Sequence, residues 1–165
     1  MNILTKMKIE KYPTQSNANK SIFSFTSIGR NVIEKRVQFT QINDIENYGL
    51  PKHITLYNLA FGDWNEESED IDDFARSNNG DTETVLATVA NTVREFRDYH
   101  PDSLLFITGS TSERNRLYQI AISKNLNEIL NEVTIYGLTN YSWEEYSIGN
   151  NYDAFLIINK RNLLY

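Results

Sequence analysis

The sequence predicts an α+β fold: a mixed sheet with an N-terminal antiparallel meander, followed by helix, strand, helix and strand. Three observations point there. Residues 21–27, 32–42 and 53–61 are runs rich in β-branched and aromatic side chains, separated by turn-forming residues. Val85, Leu86, Val89, Val93 and Phe96 then recur at helical spacing up to the stop at His100 and Pro101. Finally Leu104, Leu105, Phe106 and Ile107 form an apolar run too short for a helix and without a wet face, as expected of a central strand.

In chain order, residues 8–12 are expected to form an edge strand, and residues 13–19 have the composition of a loop. Phe23 and Phe25 alternate with Ser24 and Thr26, and Gly29, Arg30 and Asn31 turn this strand into the next, a β-hairpin. In that second strand Ile33, Val37 and Phe39 face one way, and Glu34, Arg36, Gln38 and Thr40 the other. The charged run Glu34, Lys35, Arg36 reads as a solvated strand surface. Residues 43–52 read as a loop or short helical turn ending at Pro51, and the third strand, residues 53–61, as ending in Gly62, Asp63 and Trp64.

The acidic run at residues 66–73 lacks the alternating ligands and bend glycine of a calcium loop, so a solvated loop is expected, with Phe74 pinning it to the core. After the central strand, Gly109, Ser110 and Thr111 break the pattern before Leu117, Ile120 and Ala121 resume a helical period, with a break near Lys124 and Asn125. Residues 133–136, ended by Gly137, and residues 151–159 read as the last strands. Tyr141, Trp143 and Tyr146 lie between them, either in the core or as an exposed binding surface.

A length of 165 residues with 40% hydrophobic content suits one domain, residues 1–165. Sixteen basic against 22 acidic residues give a net charge of −6, which argues against a coat for bulk nucleic acid. No cysteine is present, which removes disulfides, thiolate metal sites and cysteine nucleophiles, and His53 and His100 offer little to zinc. No metal or other cofactor is implied. No apolar run approaches the roughly 18 residues of a spanning helix, and residues 1–9 lack a signal-peptide core, so the cytoplasm is the expected location.

The order of three linked strands followed by helix, strand, helix, strand resembles the ribonuclease H fold, as does the stretch from Asn78 and Asn79 through Glu83 to Leu105–Ser110. That family clamps two metal ions with carboxylates on its first and fourth strands. Here the first strand has no acid and the fourth ends in Thr108, Gly109 and Ser110, so the resemblance extends to topology and not to chemistry. A second resemblance spans nearly the whole chain. Tyr57 to Asp63, Ser77 to Asp81, Val85 to Val89, Gly109 to Thr111 and Arg116 to Tyr118 are similar to phrases of a family of small bacterial proteins known as a domain of unknown function. It implies no activity or partner.

Two polar turns are the candidate sites. Ser110 and Glu113 have the spacing of a capping box, and the same helix start also offers amide donors and a positive dipole end to an anion. Thr111, Arg114 and Arg116 lie beside it. Successive helix positions differ by about 100°, so Arg114 is expected to face the ligand while Arg116 pairs with an acid of the preceding helix. Asn78, Asn79, Gly80 and Asp81 form the other turn, with Asp81 as helix cap and Glu83 in the first turn, and Asp63 or Tyr57 are candidates to join it. Two function classes fit these features. One is a noncatalytic interaction or regulatory module using acidic and tyrosine-rich surface with a protein partner. The other binds a phosphate-bearing molecule, a nucleotide or a nucleic-acid end, with phosphoryl or nuclease-like chemistry based on Asp81 or Glu83.

Overall fold

The computed structural model describes residues 10–43, 53–72, 78–129, 131–140 and 142–163. Among these, nine strands form one mixed sheet: β1 (Gln15–Ser16), β2 (Ile22–Ile28), β3 (Val32–Ile42), β4 (Thr55–Asn65), β5 (Asp70–Asp72), β6 (Ser103–Ile107), β7 (Val133–Thr139), β8 (Ser142–Glu145) and β9 (Ala154–Asn159). Two helices, α1 (Thr82–Tyr99) and α2 (Ser112–Ile129), connect β5 to β6 and β6 to β7. The spatial order is β1-β2-β3-β4-β6-β9-β7-β8, with β5 on β4. The N-terminal meander is antiparallel throughout, as the alternating patterns predict. Only β4 and β6 pair in parallel, and β9 and β7 then continue antiparallel. The run of parallel strands that the ribonuclease H order implies is therefore not formed among the described residues.

Period-two alternation decides what each face buries. Phe23 and Phe25, Val37 and Phe39, Leu59 and Phe61, Leu105 and Ile107, and Phe155 and Ile157 all point to the face covered by Val85, Val89 and Phe96 of α1 and by Tyr118 and Ile122 of α2. The opposite face carries a smaller cluster in which Ile54, Leu56 and Leu104 meet Phe106, Leu156 and Ile158. Apolar residues on both sides of β6 are what a central strand between β4 and β9 requires.

Several sequence expectations need correction. Within residues 8–12 the described part is not a strand, and the edge strand is β1, inside the expected loop. Tyr12 instead straps α1, its N–H donating to Thr88 Oγ1 at 2.9 Å. Lys35 is not on a solvated surface: alternation places it with Val37 and Phe39, and it is buried in an ion pair with Asp63. Arg36, on the other face, stacks 3.4 Å over the Trp64 ring. The third strand runs past Gly62 to Asn65 and turns into β5, so residues 66–69 of the acidic run are the exposed tip of a hairpin, solvated as expected, and residues 70–72 are its second strand. The turn is set locally, Asn65 Oδ1 accepting from the N–H groups of Glu67 and Ser68. Helix α2 passes Lys124 and Asn125 unbroken. Gly137 lies inside β7 opposite Phe155, where the Tyr152 ring takes the space of a side chain. Of the aromatic group between β7 and β9, Tyr146 packs on the main core while Trp143 is partly exposed against Phe106. Tyr141, like Phe74 and Pro51, lies outside the described residues.

Candidate functional site

Both helices start at the sheet end where the parallel strands β4 and β6 finish, and the two starts are used differently. At α1, Asn79 is buried and latches the β2–β3 hairpin. Its Oδ1 accepts from Asn31 N–H at 2.7 Å, and its Nδ2 donates to Asn31 C=O at 2.8 Å and to Ser27 Oγ at 3.0 Å. Its carbonyl accepts from Arg30 N–H at 3.1 Å, and that oxygen lies 1.8 Å from where a Cβ on Gly29 would sit, so only glycine fits there. Asp81 occupies the cap position without a side-chain cap bond. Its carboxylate instead accepts from the hydroxyls of Tyr12, at 2.6 Å, and Ser27. Burial and this bond to Asp81 push the Tyr12 phenol above its usual value. The expected Asp81 cap is thus corrected: the sheet edge needs that carboxylate more than the helix does.

At α2 Thr111 caps the helix start. The helix begins at Ser112, and Thr111 Oγ1 accepts from Arg114 N–H at 3.1 Å. Asn115 closes the turn behind it, accepting from Gly109 N–H at 2.6 Å and donating to Asp153 C=O at 3.0 Å, an oxygen that also takes the Thr108 hydroxyl at 3.0 Å. A Cβ on Gly109 would meet Asn115 N at 2.6 Å and Arg114 Cβ at 2.7 Å. The close approach that glycine permits here is therefore to the helix's own first turn.

A cleft of about 210 Å³ opens beside this turn, lined by Asn58, Leu59, Ala60 and Phe61 of β4, by Thr108, Gly109 and Ser110, and by Arg114 and Tyr118 of α2. Its position follows from the sheet. β6 pairs with β4 only as far as Leu59 and Ile107, and β5 takes the same edge from Asp63, so among the described residues Ala60, Phe61 and Gly62 have no strand partner on that side. Arg114 is 9% exposed, its guanidinium 5.3 Å from the centre of the Phe61 ring, with Lys35 Nζ 5.9 Å from the same ring. Residues 8–160 match the model of a family of unknown function, DUF6934. The chain belongs to the DUF6934 family. No curated protein and no solved structure matches it.

Of the eight site residues expected from sequence, the DUF6934 cleft gathers Ser110 and Arg114, with Thr111 capping the helix just behind. Asn78, Asn79, Asp81 and Glu83 do not line it. Asn78 is exposed with φ of 38°, at the outside of the latch turn. Glu83 pairs with Lys124 at 2.9 Å, and the hydrogen bond and charge of that lysine hold its carboxyl below the usual range. Arg116 is exposed on another side of α2 from Arg114. Tyr57 points to the far end of the sheet, against Phe96 and His100, and Asp63 is tied to Lys35. Among the described residues no cluster of His, Asp and Glu could hold a metal ion, and no helix is long and apolar enough to cross a membrane. Sequence reasoning missed Phe61 and Tyr118. The available signals were the alternation that groups Phe61 with Leu59, and the i+4 spacing of Tyr118 from Arg114.

Proposed function

We propose that this DUF6934 chain is a noncatalytic binding module whose cleft takes a small anionic ligand at Arg114. The observation that carries this is Arg114, a residue nine-tenths buried that lines a cleft at the C-terminal end of a parallel strand pair, next to a helix start. A buried cation in such a place attracts an anion, and a guanidinium carries its N–H donors in a planar fork suited to one. The remaining described lining offers hydroxyls, a carboxamide and a phenol, without a carboxylate or imidazole to serve as general base. That supports binding rather than turnover.

A bacterial, cytoplasmic regulator that reports ligand occupancy to a protein partner fits the family phrases, the acidic charge and the absence of cysteine. A partner surface is favoured by one further observation. The latched hairpin tip presents the cross-strand pair Ile28 and Val32 to solvent, 64% and 74% exposed.

Titrating the chain at low salt with inorganic phosphate, AMP and small carboxylates, followed by NMR, tests the cleft. Saturable binding of at least one anion is expected, weakened about 10- to 100-fold in Arg114→Gln, as for loss of a charged hydrogen bond. No saturable binding by any of them overturns the proposal.

A further inference from the structure

We propose that β8 is a docking edge for another protein, and that it takes an extended basic segment which adds to the sheet as a further strand. This is independent of the cleft and of its anion. β8 is the last strand of the sheet, paired with β7 alone, and all four of its residues are exposed. The direction of its backbone groups follows from register. On one side of β7, Tyr146 N–H donates to Ile135 C=O at 2.9 Å, and on the other, Lys160 N–H donates to Glu132 C=O at 2.9 Å. Antiparallel bonding alternates along each strand, so Ser142 and Glu144 bond inward to β7 while Trp143 and Glu145 turn N–H and C=O outward. These are the groups that a strand added at an edge engages.

The opposite end of the sheet is closed by the chain itself. There β1 pairs with part of β2, and the Tyr12 hydroxyl lies 3.2 Å from both the amide nitrogen and the carbonyl oxygen of Ile28. At β8 the indole of Trp143 is instead 41% exposed, its centre 6.3 Å from that of the Phe106 ring. It stands on the same face as Glu145, two positions along, and supplies an anchor beside the outward backbone groups. Charge decides which strand fits. Residues 131–159 contain Glu132, Glu144, Glu145 and Asp153 and no lysine or arginine. Pairing of two copies through β8 brings these acids together, which is how a short charged edge resists self-association, whereas a lysine- or arginine-bearing strand is drawn to them. Alternation then sets the pattern of that strand: an apolar residue across from Trp143 and a basic one two positions away, across from Glu145. Glu144 points to the helix side, where it accepts from the Tyr152 hydroxyl at 2.9 Å.

The test uses the full chain, ¹⁵N-labelled, titrated with end-capped peptides of seven residues. The first has threonine at the odd positions and lysine, valine, lysine at the even ones, the second has glutamate for lysine, and the third is the lysine peptide N-methylated at its three central residues. The lysine peptide should bind saturably and move the amides of Trp143 and Glu145. The N-methylated peptide, which cannot donate to a strand, should be at least about tenfold weaker, and the glutamate peptide about fivefold weaker or more. Trp143→Ala should weaken the lysine peptide about tenfold. Because that ring also touches Phe106, Glu145→Lys, at an exposed position, serves as the second variant and should narrow the gap between the lysine and glutamate peptides. No saturable binding of the lysine peptide, shifts confined to other surfaces, equal binding of the N-methylated peptide, or a dimer of the chain that pairs through β8 would each overturn the inference, and none of them bears on the cleft.

Discussion

The starts of α1 and α2 are written in similar residues, small, polar and glycine-containing, yet one is closed and the other open. At α1 every polar side chain of Asn79 and Asp81 is turned inward to hold something distant in sequence: Asn31, Ser27 and Tyr12. At α2 two bonds are local, Thr111 to Arg114 and Asn115 to Gly109, Asn115 also reaches Asp153 of a later segment, and Ser110 and Arg114 line a cleft. The α2 turn borders a cleft and is held partly by its own residues, while the α1 turn reaches across the sheet to the β2–β3 hairpin and has become a structural joint. The two are nevertheless connected. The rings of Tyr12, Phe25 and Phe61 follow one another at 5.9 and 6.4 Å, so the hydroxyl that binds Asp81 heads a stack that ends beneath Arg114.

Asn79→Ala is the strongest way to break this contrast. It removes three side-chain hydrogen bonds at a buried position, leaving Asn31 N–H and C=O without those partners, and should cost about 2–4 kcal/mol in urea unfolding. Amide exchange should quicken first at the hairpin tip around Gly29 and Asn31. A loss under about 1 kcal/mol, within the range of an ordinary surface turn, means that Asn79 is not a joint.

Much of this architecture is legible in sequence because it rests on local period. The alternation of Phe23, Phe25, Val37 and Phe39 predicts the meander and its buried face, and the run at Leu104 to Ile107 predicts a strand covered on both sides. The helix start with Arg114 inward and Arg116 outward follows from the 100° step. What does not show is whatever depends on contacts across the sheet. Asn79 looks like any turn asparagine until Asn31, 48 positions away, is seen against it. Lys35 sits in a charged run and is read as wet, although its parity with Val37 already marks it as inward. Gly137 looks like a terminator because the Tyr152 ring that replaces its side chain comes from a later segment. The cleft itself is a consequence of where β6 ends and β5 begins on one edge of β4, and neither residue run states its register.

Tyr12→Phe sharpens the comparison at lower amplitude. It removes one hydroxyl from the Asp81 joint and keeps the ring stacked on Phe25, so a loss of about 1 kcal/mol is expected at neutral pH. Its pH signature has a definite sign. Burial, then the Asp81 bond, raises the folded-state phenol above 10.0, so its contribution is complete below pH 10.0 and is lost as pH rises through the folded value. The substituted protein should therefore lose less stability than the original on alkaline titration. Parallel alkaline decline in both would show that the Tyr12 proton is not held by the fold.

Glu83→Gln is the smallest effect and the clearest control. Glu83 stands in the first turn of α1, three residues from Gly80, and joins neither Asn79 nor the cleft; its partner is Lys124, on the exposed side of α2. Both groups are in water, where side-chain entropy and screening cancel most of the attraction, so the melting temperature at neutral pH should hardly change. The lysine lowers the folded-state carboxyl below its ordinary 4.5, hence whatever the pair contributes is present above that value and is lost as pH falls through the lower, folded one. Melting temperatures of the two proteins should coincide near neutrality at high salt and differ in slope only on the acid side. A loss as large as that of Asn79→Ala would mean that the first turn of α1 is bound to its surroundings by charge as well as by the Asn79 and Asp81 side chains, and that α1 and α2 are held in register by a pair whose exposure says otherwise.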